Sequence, residues 1–110
     1  MPLFAFIYRP TRPIDESELL ARGEAVRGWV IPLLEKGTVR AVTVFGEEVT
    51  VVPPMNSADQ ATAPSDVAGV TLVEAENLVA AQALAHDFPG RHFGTAVEVR
   101  SIDRFIPPAN

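Results

Sequence analysis

Val70-Thr71-Leu72-Val73-Glu74, then Asn77 with the run Leu78 to Asp87 behind it, then Thr95 to Ile102: this stretch of the sequence decides the fold. Its first segment alternates apolar and polar residues, as a strand with two different faces does. Asn77 is a helix-capping residue type, and Leu78, Ala81, Leu84 and Ala85 form an apolar stripe with several small side chains. A helix that can lie close to a sheet is expected there. Phe88-Pro89-Gly90 breaks it, and Arg91-His92-Phe93-Gly94 reads as a turn or loop. In the last segment Val97, Val99 and Ile102 alternate with Glu98, Arg100 and Ser101, which predicts a second two-faced strand.

The N-terminal half supplies the matching elements. Leu3 to Tyr8 is apolar and aromatic throughout and ends at Arg9-Pro10-Thr11-Arg12-Pro13, so it reads as a short strand from the middle of a sheet, buried on both faces. Asp15 with Glu18 three residues on makes a capping box, and Ile14 can staple onto Leu19. Leu19, Val26, Val30 and Leu33 share one face of the helix that follows, and Gly37 supplies a left-handed stop. Pro32 inside this helix predicts a kink near 28–32, or a second short helix starting there. Val39 to Phe45 and Val49 to Val52 are β-branched runs around Gly46-Glu47-Glu48, a spacing that suits a hairpin over 39–52; one long bulged strand is the alternative. Pro53 to Ala68 is almost without large apolar residues and reads as a long loop.

The resulting order, strand, helix, strand, strand, helix, strand, predicts an α+β fold: a ferredoxin-like βαββαβ antiparallel sheet with two helices on one face. A chain of 110 residues holds one core, so 1–110 is read as a single domain. Apolar residues make up 47% and charged ones only 21%, which leaves apolar surface over for a partner. The face without helices is the place for it, and a homodimer that pairs two sheets follows.

The charge of −5 and the scatter of the nine basic residues from Arg9 to Arg104 argue against nucleic acid as a partner, since phosphate binding needs grouped cations. Absence of cysteine excludes disulfides, thiolate catalysis and Cys-ligated metals. Met1-Pro2-Leu3-Phe4 has no signal-peptide character, and no run reaches the roughly 20 apolar residues of a membrane span. A cytoplasmic protein with no membrane partner is expected. There is no Gly-rich phosphate cradle, nucleophile elbow or His-Glu-x-x-His helix, so neither a cofactor nor a metal is expected.

The C-terminal third, Ala68-Gly69-Val70-Thr71-Leu72-Val73-Glu74-Ala75, a helix closing on Asp87-Phe88-Pro89-Gly90, and Gly94-Thr95-Ala96-Val97-Glu98-Val99-Arg100, resembles the YCII-related family and its DGPF-type members. Phe6-Ile7-Tyr8 and Leu34-Glu35-Lys36-Gly37 agree more loosely. The resemblance implies a dimeric α/β barrel with a pocket between sheet and loops, and small-enzyme chemistry that uses a histidine of the first helix with an aspartate. The corresponding stretch here is Ala25-Val26-Arg27-Gly28, without histidine, and Pro53-Pro54-Met55-Asn56 stands about where the Asp-Gly-Pro-Phe segment would fall.

Five residues are the candidates for a site. His92, in the loop before the last strand, is the catalytic candidate, with Asp59 or Asp66 of the long loop as an acid/base partner. Tyr8 and Arg9 end the first strand, where ligand-facing loops sit, and Arg9 with Arg12 can hold an anion. Arg100 can clamp a carboxylate or form an ion pair with Glu98 or across a dimer. Trp29, the only tryptophan, is a pocket wall or a core or dimer anchor. His86 suits the C-terminal end of its helix. Two functions stay open: a pocket protein that binds and transforms a small organic, anionic ligand, or a non-catalytic ligand-binding or protein-interaction module.

Overall fold

The computed structural model describes residues 1–55 and 66–109. Four strands, β1 (Leu3–Pro10), β2 (Val39–Val44), β3 (Gly69–Glu74) and β4 (Thr95–Ser101), alternate with two helices, α1 (Glu16–Lys36) and α2 (Leu78–His86). A five-residue 3-10 turn, Pro89–Phe93, connects α2 to β4. The sheet order is β2-β3-β1-β4 and every neighbouring pair is antiparallel. This is the expected α+β arrangement, compatible with a ferredoxin-like fold.

The helix ends follow their local chemistry. Asp15 accepts from the Glu18 amide at 2.8 Å while the Glu18 carboxylate takes the Asp15 amide, so two of the free donors of the first turn are satisfied reciprocally. Gly37 stops α1 in the left-handed conformation, φ 81°, where a side chain would be strained. Asn77 caps α2 through the Ala80 amide at 2.9 Å. Pro32 neither ends α1 nor starts a new helix: α1 is continuous to Lys36. Pro32 and Gly28 are both exposed, so water can take the carbonyl that the proline ring leaves without a donor.

Phe4, Phe6 and Tyr8 of β1, Thr71 and Val73 of β3 and Val39 of β2 point to the helix side and are buried there. Against them pack Val30 of α1, Ala81 and Ala85 of α2, and Phe88. Each large side chain taken fully out of water, such as Phe6, contributes roughly 1.5–3 kcal/mol. The two alanines let α2 approach the sheet closely. On the opposite face Leu3, Ala5, Ile7, Val70 and Leu72 are only half-buried, so β1 is central, as expected, but buried on one face rather than two.

Three expectations change. Leu19 is half-exposed and outside the core, which α1 joins only from Val26 onward, and Leu78 likewise stands half-exposed at the start of α2. The hairpin over 39–52 does not form: β2 ends at Val44, its partner is β3, and Val49 and Val52 are exposed. β2 pairs with β3 on one side and stands at the edge of the sheet, so its outer side is open, yet the 49–52 run does not pair with it. The one long bulged strand does not form either, since β2 stops at Val44; its register shift lies at the other end, between Val39 and Ala41.

Candidate functional site

Between α1 and the β2–β3–β1 part of the sheet lies a cleft of about 350 Å³. Aromatic rings build its inner wall. Phe88 stacks on Tyr8 with centroids 4.4 Å apart, and Trp29 meets Phe88 edge-on at 5.4 Å. Phe88 is held in place from below by Gly90, where a Cβ would come within 2.3 Å of its ring, so only glycine fits under it. Val26, Val42 and Val44 add aliphatic surface, and Arg22 and Arg27 of α1 also line the cleft.

One polar pair lies in this apolar wall. The Tyr8 hydroxyl donates to Thr71 Oγ1 at 2.8 Å, both residues being buried on neighbouring strands. Burial pushes the phenol pKa up, and the hydrogen bond to Thr71 opposes this only in part. Tyr8 is therefore neutral at physiological pH and can serve as a hydrogen-bonding group but not as a base. The lining holds no carboxylate, imidazole or amine among the described residues.

The sequence-derived candidates divide between the two faces of the sheet. Tyr8 and Trp29 share the cleft. Arg9 and Arg100 lie on the opposite face, where both reach Glu98: Arg9 across the β1–β4 pair at 2.9 Å and Arg100 along its own strand. The two guanidiniums, Arg100 first, hold the Glu98 carboxyl below the usual carboxylate range. This is the ion-pair reading of Arg100. The period of two explains the division, because Tyr8 and Arg9 are consecutive in a strand and cannot share a face. The Tyr8 hydroxyl accordingly lies inside, on Thr71, and not among the ligand-facing loops.

His92 sits exposed on the 3-10 turn and does not line the cleft. Asp59 lies outside the described residues, and Asp66 is exposed in a separate depression with Arg12 and Arg22. Arg12 is tied to Glu18 at 3.0 Å and so joins the capping box of α1. His86 is the last residue of α2, as expected, and its carbonyl accepts from Arg91 at 2.7 Å. Both also line a groove of about 450 Å³ between α2 and β4. Among the described residues no group of three His, Asp or Glu is placed to hold a metal ion, and no helix is long and apolar enough to cross a membrane.

Phe88, Thr71, Arg22 and Arg27 are the cleft residues that sequence reasoning missed. Thr71 was within reach, since the alternation that buries Val73 puts it on the same face. Phe88 looked like part of a helix stop. Compared with known proteins, the chain matches no family model and no curated sequence.

Proposed function

We propose that this chain is a cytoplasmic small-molecule-binding protein of the YCII-related kind, which takes a largely apolar organic ligand into the cleft between α1 and the sheet. The observation that carries the reading is the cleft itself: about 350 Å³, within the size range of ligand sites, walled by three aromatic rings and crossed by one neutral polar pair. Binding is favoured over proton-transfer catalysis because the described lining offers no group that is a base at neutral pH, and because His92 stands apart from it.

The protein acts as a homodimer in this reading. The half-buried Leu3, Ala5, Ile7, Val70 and Leu72 on the face away from the helices support it, with the Arg9–Glu98–Arg100 cluster beside them. Light scattering is expected to return about twice 11.9 kDa.

A thermal-shift screen of small aromatic and aliphatic compounds tests the site. Hits are expected to raise the Tm of the natural chain and of Arg100→Ala, and to lose their effect in Val42→Trp, whose ring fills the cleft from an edge strand. Hits that persist in Val42→Trp would place the site elsewhere.

A further inference from the structure

Arg9, Arg12, Arg40 and Arg100 all sit against carboxylates. Among the described residues Arg22, Arg27, Lys36, Arg91 and Arg104 form no such ion pair, and of these Arg22 and Arg27 stand at the aromatic cleft, Arg22 half-buried. Arg22 and Arg27 both line the aromatic cleft, whose described lining holds no acidic residue; Asp66 shares a separate depression with Arg22 without forming an ion pair with it. Arg27 folds back along α1 so that its Nη1 comes 3.9 Å from where a Cβ on Gly23 would stand, at van der Waals distance.

Resting on the ligand-binding reading of this cleft, we propose that its ligand is an aromatic carboxylate, whose ring enters between Trp29, Phe88 and Val42 while its carboxylate meets the guanidiniums of Arg22 and Arg27. The apolar wall and the cations then serve the two halves of one molecule. A planar carboxylate accepts two parallel hydrogen bonds from a guanidinium fork, a fit that an amide of the same shape cannot reproduce. The volume admits a one- or two-ring acid but is at the small end for ligand sites, which disfavours a nucleotide. The only described polar pair deeper inside, Tyr8 with Thr71, is mutually satisfied, so the ring end of the ligand meets no unpaired group there.

Isothermal titration calorimetry at low salt with trans-cinnamate and its neutral isostere trans-cinnamamide tests this. The acid is expected to bind roughly tenfold more tightly than the amide, the worth of a charge-assisted hydrogen bond. Arg22→Gln and Arg27→Gln should each reduce the preference, and the double variant should bring the two affinities within about twofold, chiefly by weakening the acid. Both side chains reach solvent, so circular dichroism of the variants should match that of the natural chain. Equal binding of acid and amide, or a preference that survives the double substitution, overturns the proposal and leaves the apolar-ligand reading standing. Binding of neither compound overturns both.

Discussion

The Tyr8 hydroxyl reaches diagonally from β1 to Thr71 Oγ1 on β3, 2.8 Å away, with Phe88 stacked over its ring. The pair joins the two central strands at the back of the cleft and leaves neither buried oxygen without a partner. Removing one half should cost more than removing both. Tyr8→Phe is expected to destabilise the fold by about 1–3 kcal/mol in urea denaturation, because the Thr71 hydroxyl is then buried alone. Tyr8→Phe with Thr71→Val should recover most of that loss. A double variant as unstable as the sum of the two single ones would mean that the bond contributes nothing.

Alkali should unfold the protein through the same residue. The folded-state pKa of Tyr8 is raised above its ordinary value of 10.0, so folding holds a proton that the unfolded chain releases. The associated stability is fully present below pH 10.0 and is lost as pH rises through the raised value. Since Tyr8 is the only tyrosine, phenolate absorbance reports it alone. The titration midpoint is expected above 10.0, in step with loss of near-ultraviolet dichroism; an ordinary midpoint in the folded protein would contradict the burial.

The α1 capping box has an acid counterpart. Hydrogen bonds from the Glu18 amide and from Ser17 hold the Asp15 carboxyl below its usual range, so its contribution is present above the unfolded-state value and is lost as pH falls. Asp15→Ala should lower the denaturation midpoint at neutral pH and Asp15→Asn should lower it much less. Equal losses in the two variants would point to charge rather than to the cap.

Gly90 tests how the aromatic wall is built. Gly90→Ala must push the Phe88 ring away, since the added carbon would stand 2.3 Å from it. A loss of about 1–3 kcal/mol is expected, with a change in Trp29 fluorescence as the edge-on contact opens. Unchanged emission would show that Trp29 does not depend on Phe88.

Much of this architecture is legible in the sequence because it rests on local rules. Asp15, Glu18, Gly37 and Asn77 act within one turn of themselves, and the alternation of Val97 and Val99 with Glu98 and Arg100 is a property of one strand. Pairing of whole elements is less legible. Val49 to Val52 has the composition of a strand, yet it does not pair with the open outer edge of β2. The site was half legible for the same reason. Tyr8 and Trp29 are legible as wall residues, whereas Arg9, next to Tyr8 in its strand, faces the other way and meets Glu98 together with Arg100. Phe88 enters the cleft through the path of the chain after α2, which no periodicity encodes.

The location of the site is tested most directly by the single indole N–H of Trp29, which gives one identifiable cross-peak in a proton–nitrogen correlation spectrum. On titration with a compound that stabilises the protein, that peak and the amides of Val42, Val44 and Gly69 should move together, while those of Arg9, Glu98 and Arg100 across the sheet stay in place. Shifts concentrated at Arg9, Glu98 and Arg100, with Trp29 unmoved, would contradict a cleft between α1 and the sheet.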